Sequence, residues 1–93
     1  MKVKVKIYGH LQDLLKNKEF DVGLPDQSTL EGLITHIGKI YGKEKEKEFR
    51  PRESAKFPIM IIVGNKDHRF LKGMETLLSE GVTVYFMPPA VGG

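Results

Sequence analysis

Alternating apolar and polar residues at the start of the chain predict a β-strand. Val3, Val5 and Ile7 alternate with lysines at positions 2, 4 and 6. Because side chains of a strand point to opposite faces in turn, the apolar residues would face a core and the lysines water. Beyond Gly9, leucines at positions 11, 14 and 15 have helical spacing and predict a short helix.

A second alternating segment follows this helix. Apolar residues at positions 20, 22 and 24 alternate with Glu19, Asp21 and Gly23, and Pro25 ends the pattern. If this strand pairs antiparallel with the first, its acidic residues share a face with the lysines. Opposite charges across two strands contribute about 0.2–1 kcal/mol.

Residues 28–42 give the strongest helix signal of the chain. We interpret Ser28 as the N-cap, with Glu31 reaching back in a capping box, and Gly42 as the C-terminal stop. The apolar stripe between them is more simply explained as core than as a cofactor site. It consists of Leu30, Leu33, Ile34, Ile37 and Tyr41.

The next segment, residues 43–57, begins with alternating lysine and glutamate. We interpret it as a charged loop whose first residues could extend the preceding helix. Such a loop serves either as a solvated connection or as a docking surface, and loops are commonly polar in either case.

The continuous apolar run 58–63 is typical of a strand buried on both faces. A small single-sheet domain covers only one face. Met60 and Ile62 would therefore either meet residues 43–57 or lie exposed as a partner surface. A short strand is predicted at 69–71 and the last strand at 82–87, which Pro88 and Pro89 must end because proline cannot donate to a ladder.

This order of elements predicts an α+β fold with a mixed sheet and one main helix packed across one face. Placing the last strand beside the first, in the sheet centre, gives the ubiquitin-like β-grasp arrangement, although periodicity alone does not select that topology. We take residues 1–87 as the domain, with 43–57 as a loop insertion, and residues 88–93 as a flexible C-terminal arm.

Composition and net charge argue against several classes of function. The 93 residues carry a formal net charge of only +3 and no aromatic-rich basic stripe, which argues against a nucleic-acid partner. No apolar run is long enough to span a membrane and no signal peptide is visible, so we expect a cytoplasmic protein. The absence of cysteine excludes a disulfide, a thiolate metal site and a cysteine nucleophile.

Conventional catalytic sets are missing from the sequence. The three histidines, at positions 10, 36 and 68, do not have metal-ligand spacing. The serines at 28, 54 and 79 lack a G-x-S-x-G setting. We therefore expect a chain with no catalytic site of its own, no metal and no bound cofactor.

The C-terminal run, residues 88–93, is the exception. Its two prolines would stiffen the base of the arm, and Gly92 and Gly93 remove side chains from the tip, so that the terminal carboxylate can enter a narrow channel. A partner enzyme could join that carboxylate to AMP from ATP. A sulfur nucleophile would then give a thiocarboxylate, and a lysine would give an isopeptide.

The stretches 64–76, 78–81 and 88–93 resemble the small subunit of molybdopterin synthase, a sulfur carrier of the MoaD type. The opening strand, residues 3–8, and the leucine-containing segment 11–15 fit the same family. The resemblance covers the chain except for residues 43–57, and the proline pair with the terminal Gly-Gly is its most specific part.

The resemblance implies that Gly93 is adenylated by a ubiquitin-activating-type adenylyltransferase using ATP, with Gly92 providing clearance, and is then thiocarboxylated. It also implies insertion into the large subunit of molybdopterin synthase, where sulfur passes to a pterin precursor of the molybdenum or tungsten cofactor. The inserted arm would be Pro88, Pro89, Ala90 and Val91. The expected apolar partner patch on the sheet is Met60, Ile62, Tyr85 and Met87.

Other functions remain open at this point. A ubiquitin-like modifier joined to lysines of target proteins would use the same terminus. A sulfur carrier of another pathway, such as thiamine synthesis, is a nearby option, although the proline pair favours the pterin route. A small binding domain with an incidental tail is the third alternative.

Overall fold

Five strands form one mixed sheet in the computed structural model, which describes residues 1–51 and 59–88. Their order across the sheet is β2-β1-β5-β3-β4. The central strands β1 and β5 are parallel, and the other neighbours are antiparallel. This is the predicted β-grasp arrangement, and the predicted fold class is confirmed. The strands are β1 (Lys2–Ile7), β2 (Glu19–Gly23), β3 (Met60–Val63), β4 (Lys66–Asp67) and β5 (Thr83–Met87).

The helices are α1 (His10–Leu15), α2 (Leu30–Tyr41) and α3 (Lys43–Glu48). The long helix α2 places its apolar stripe in one hydrophobic cluster with one face of the sheet. The side chains of Val5, Ile37 and Phe86 are fully buried in this cluster. Burial of this apolar area is the main stabilising contribution to a domain of this size.

Strands β1 and β2 pair antiparallel, which places their charged residues on one face as the sequence analysis expected. Lys4 lies opposite Asp21 and Lys6 opposite Glu19. Each pair places its ammonium nitrogen 3.9 Å from a carboxylate oxygen. The predicted charge pairing across these strands is confirmed, and because both pairs are partly exposed, each contributes little free energy.

The predicted N-cap of α2 is wrong by one residue. Thr29, not Ser28, caps the helix, and its Oγ1 accepts a hydrogen bond from the Gly32 amide at 3.2 Å. Thr29 forms an isolated β-bridge with Leu77 and keeps extended dihedral angles, so the helix cannot begin earlier. The Ser28 hydroxyl instead donates to the Pro25 carbonyl.

Residues 43–51 differ from the predicted loop. Residues Lys43–Glu48 form α3, so the helical extension is present. The residue after it, Phe49, is fully buried and meets the Phe86 ring edge to face, with 5.0 Å between ring centroids. The rest of the predicted loop, and the first residue of the run 58–63, lie outside the described residues.

Arg50 joins the two helices through carboxylates on each. Its guanidinium donates to Glu31 on α2 at 2.7 Å and to Glu46 on α3 at 2.9 Å. The hydrogen bonds with Glu31 raise the pKa of Arg50 above its ordinary value and lower that of Glu31. Glu31 therefore binds Arg50 rather than reaching back to cap its own helix.

One further sequence prediction needs correction, and one expectation is met. The short strand predicted at 69–71 is wrong, because β4 lies earlier, at Lys66–Asp67, and a 3₁₀ turn follows at His68–Phe70. The Asp67 carboxylate accepts the Arg69 amide at 2.9 Å and so starts that turn. Strand β3 is buried on one face only, as expected from the sequence for a single-sheet domain, since its residues alternate between half-buried and buried.

Candidate functional site

Four residues predicted to contact a partner share the face of the sheet that points away from α2, which we call the open face. Met60 of β3 lies opposite Met87 of β5, and Ile62 lies opposite Tyr85. All four side chains are half-buried. The structure therefore brings these predicted residues together into one apolar strip across the two strands.

Tyr8 extends this strip, although the sequence analysis did not assign it to the site. Its ring stacks on that of Tyr85, with 6.5 Å between centroids and 18° between planes. The Lys6 ammonium lies 6.0 Å from the centroid of the Tyr85 ring. The alternation of β1 could have assigned it, because Tyr8 is an even-numbered position like Lys2, Lys4 and Lys6 and is therefore expected on the same, outward face of the sheet.

Ion pairs border the apolar strip on both sides. The lysine–carboxylate pairs of β1 and β2 form one border. On the other side Asp67, opposite Ile62 in the register, accepts hydrogen bonds from the Arg69 guanidinium at 2.7 Å. That side-chain hydrogen bond lowers the pKa of Asp67 to about 2. The open face thus presents apolar area within a rim of fixed charges, as protein interfaces commonly do.

The end of β5 lies beside the turn that follows β1. The Tyr8 amide donates to the Phe86 carbonyl at 2.9 Å, and Met87 is the last residue of the strand. Pro88 follows and is exposed. The remaining predicted arm and terminus residues lie outside the described residues, and their roles stay predictions: Pro89, Ala90, Val91, Gly92 and Gly93.

The three histidines lie on three different elements of the described structure. Within residues 1–51 and 59–88, no group of three histidine, aspartate or glutamate side chains could hold a metal ion. His68 is buried, with its Nδ1 3.3 Å from an Asp67 carboxylate oxygen, whereas His10 and His36 are half-buried and lie on different helices. None of the helices in these ranges is long and apolar enough to cross a membrane.

The chain is similar to known proteins over nearly its whole length. A family model described as the ThiS family matches residues 5–93, and no curated protein matches the chain significantly. A Pyrococcus furiosus protein described as molybdopterin converting factor, subunit 1, is 28% identical, with a TM-score of 0.74 and coverage of 97% of this chain and 99% of that one.

Two further solved structures share the fold at lower identity. Small archaeal modifier protein 1 from Methanosarcina acetivorans is 22% identical, with a TM-score of 0.73 and coverage of 99% of this chain and 96% of that one. A chain of the BexX/CysO complex from Amycolatopsis orientalis is 24% identical, with a TM-score of 0.70 and coverage of 98% and 99%.

Proposed function

This chain belongs to the ThiS family of ubiquitin-like sulfur carriers and modifiers, and from that premise we propose that it carries sulfur on Gly93 as the small subunit of a molybdopterin synthase. A terminal carboxylate oxygen attacks the α-phosphorus of ATP and releases pyrophosphate. Sulfide, or a donor that delivers sulfur at the same oxidation level, then displaces AMP from the acyl adenylate, which leaves a thiocarboxylate. Its sulfur forms a bond to carbon of a pterin precursor, and water then cleaves the acyl–sulfur bond and returns Gly93 to a free carboxylate.

The observation that carries the proposal is the terminal Gly-Gly, which lies within the family match and only a few residues beyond the central strand β5. A carboxylate at the end of an arm is available to another protein, whereas a side-chain carboxylate on the sheet would be held by its neighbours. Two residues without side chains allow the terminus to enter a narrow active site.

The open face supports the same proposal as a docking surface. Its apolar strip includes Tyr85 and Met87 of β5, the strand that leads into the arm. A partner that covers this strip would also hold the arm at its own active site. Aromatic residues in the centre of an interface, surrounded by a polar rim, commonly dominate binding energy. The partners we propose are an ATP-dependent adenylyltransferase and the large synthase subunit.

Two observations favour a pterin precursor as the acceptor of sulfur. The Pyrococcus furiosus protein, with 28% identity over nearly the whole of both chains, is described as a molybdopterin converting factor subunit. The second observation is the proline pair at the base of the arm, Pro88 and Pro89. A thiamine-type pathway and conjugation to lysines use the same activated terminus, and they are the outcomes against which the test is designed.

The test is the intact mass of the protein purified from its native host while the pathway is active, together with its co-purifying proteins. We expect a mass increase equal to one oxygen replaced by sulfur, located at Gly93, and co-purification of a large subunit. A carrier that is found only as the free carboxylate would contradict the proposal. Gly93-dependent conjugates on lysines in the same lysate would instead favour a protein modifier.

A substitution at Gly92 distinguishes an effect on thiocarboxylate formation from an effect on folding. Gly92→Val should abolish thiocarboxylate formation because the added branched side chain blocks entry to the channel. Gly23→Val is a matched control, since no atom lies within 4 Å of a Cβ built at that position. Both variants should keep the unfolding midpoint of the parent protein to within a few degrees, and retained thiocarboxylation of Gly92→Val would exclude a narrow channel.

A further inference from the structure

The turn between β1 and α1 has a backbone conformation that is essentially restricted to glycine. Gly9 has φ 74° and ψ −149°, a combination of backbone angles that residues with a Cβ rarely adopt. The preceding amide, of Tyr8, donates to the carbonyl of Phe86 near the end of β5. Gly9 therefore lies directly beside the place where the chain leaves the sheet.

The missing side chain of Gly9 leaves room for the ring of Pro88. A Cβ at Gly9 would lie 2.8 Å from Pro88 Cγ and 3.1 Å from Pro88 Cδ. The proline ring is closed onto its own backbone nitrogen, so it cannot rotate away from such a contact. Relief of the overlap would have to change the ring pucker or move the backbone at Gly9 or Pro88.

This close approach distinguishes Gly9 from the other glycines with positive φ among the described residues. A Cβ at Gly42, Gly73 or Gly81 would meet no atom within 4 Å, and one at Gly64 would make an ordinary contact at 3.8 Å. At those positions glycine is required only by the backbone conformation. At Gly9 the absence of a side chain also leaves the space that the Pro88 ring occupies, which we call the seat of Pro88.

We propose that Gly9 is a positioning residue for the reactive terminus, an inference that rests on the proposed role of Gly93. By seating Pro88, Gly9 fixes the origin of the last five residues relative to the open face. The partner that docks on that face must find the carboxylate within reach of ATP. A displacement of about 1 Å at reacting atoms can cost about a hundredfold in rate.

Four variants isolate the contact from backbone strain. Gly9→Ala introduces both the strain and the overlap with Pro88. Gly42→Ala is the matched control, because Gly42 has φ 104° and ψ 153° but open space around its Cβ. Pro88→Ala removes the two ring atoms that would overlap. In the double variant Gly9→Ala/Pro88→Ala only the Cβ of residue 88 remains nearby, at 3.9 Å.

The first readout is pyrophosphate release by the activating enzyme of the source organism, measured with Mg-ATP and each variant. We expect Gly9→Ala to lower kcat by about tenfold or more while KM changes by less than about twofold, because the open face is intact. Gly42→Ala should match the parent protein. Pro88→Ala should also lower kcat, and the double variant should be no slower than Pro88→Ala, because both substitutions remove the same contact. Equal losses in Gly9→Ala and Gly42→Ala, or additive losses in the double variant, would overturn the proposal.

The second readout needs no activating enzyme. The chain has no cysteine, so Lys18→Cys gives a single site for a nitroxide spin label, close to the turn because the Lys18 carbonyl accepts the Ile7 amide at 2.8 Å. We expect the paramagnetic broadening of the amides of residues 91–93 to change in Gly9→Ala and in Pro88→Ala. It should keep the parent value in Gly42→Ala, and the double variant should match Pro88→Ala, because with the ring removed the added Cβ at position 9 has nothing left to displace.

The two readouts separate this inference from the proposed function. If the parent protein is not adenylated but the broadening changes as expected, the positioning role stands and the assigned chemistry fails. Unchanged broadening in both Gly9→Ala and Pro88→Ala would overturn the positioning role whatever the kinetics. Pro88→Ala keeps Gly9, so it remains informative even if Gly9→Ala does not fold.

Discussion

The two faces of the sheet differ more than any other two regions of the molecule. Along β5, Val84 and Phe86 are fully buried against the helices, whereas Tyr85 and Met87, their immediate neighbours, are half-buried on the open face. On β3, Ile61 is buried in the same way and the residues on either side of it are not. Adjacent positions of one strand therefore have different tasks.

The difference shows how a short chain can combine a core with a recognition surface. The covered face is apolar along β1, β3 and β5 and packs against α2. The open face retains large apolar side chains that the fold does not need to bury, together with charged pairs at their borders. Apolar area that a small domain leaves exposed in one patch commonly marks an interaction site. We therefore expect substitutions on the covered face to affect stability and those on the open face to affect binding.

The largest expected effect comes from removing a ring on the covered side. Phe49→Ala should lower the free energy of unfolding by about 3–5 kcal/mol, because it leaves a cavity beside Phe86 in the buried cluster. Phe70→Ala is the matched control: Phe70 is 82% exposed, and its loss should change stability by no more than about 0.5 kcal/mol. Urea unfolding of the two variants measures both values.

The same two variants test whether residues 43–51 belong to the covered side of the molecule. If Phe49→Ala costs no more than Phe70→Ala, then residues 43–51 do not belong to the core, and the covered face is less extensive than the structure indicates. A normal affinity of the partially destabilised variant for its activating enzyme, measured where it is still folded, would support the division of tasks.

The covered face could be predicted from the sequence because its signal is local. Alternation places Val3, Val5 and Ile7 inward without knowledge of the rest of the fold, and helical spacing does the same for α2. The proposed open-face strip was partly predictable for a related reason, since an apolar run such as β3 has more apolar residues than one covered face can bury.

Features set by contacts distant in sequence were not predictable. The helix start at Thr29 depends on a bridge to Leu77, and the burial of Phe49 depends on Phe86, which lies far along the chain. The charged residues before Phe49 dominate the local pattern and indicate surface. The seat that Gly9 forms for Pro88 is likewise invisible until the ends of β1 and β5 are paired.

An intermediate effect is expected from the open face. Tyr85→Ala should weaken binding to the activating enzyme by about 2 kcal/mol, or roughly thirtyfold, because truncation of a central interface aromatic is commonly that costly. The loss of its stacking with Tyr8 should lower the free energy of unfolding by no more than about 1 kcal/mol. Calorimetric titration and urea unfolding measure the two quantities.

Leu77→Ala provides the control for this second prediction. Leu77 is also exposed, at 62%, but it pairs with Thr29 at the start of α2 rather than lying on the open face. Its truncation should leave affinity within about twofold of the parent protein, as expected for an apolar residue outside an interface. Equal losses of affinity in both variants would mean that the docking surface is not the open face.

The smallest effect is expected where Glu31 meets Arg50, on the helical side of the molecule. The hydrogen bonds from Arg50 hold the folded-state pKa of Glu31 below its ordinary value of 4.5, so the pair stabilises the fold fully above that pH and loses its contribution as pH falls through the folded pKa. Glu31→Gln should cost about 0.5–1 kcal/mol at pH 7, because the pair is partly exposed, and the difference from the parent should shrink in acid. Glu44→Gln is the control, since that carboxylate is 90% exposed and lies 3.7 Å from Lys47. Urea unfolding of both variants at pH 7 and in acid measures these differences in free energy. A loss of stability in Glu31→Gln that is independent of pH would show that packing, not charge, holds α3 against α2.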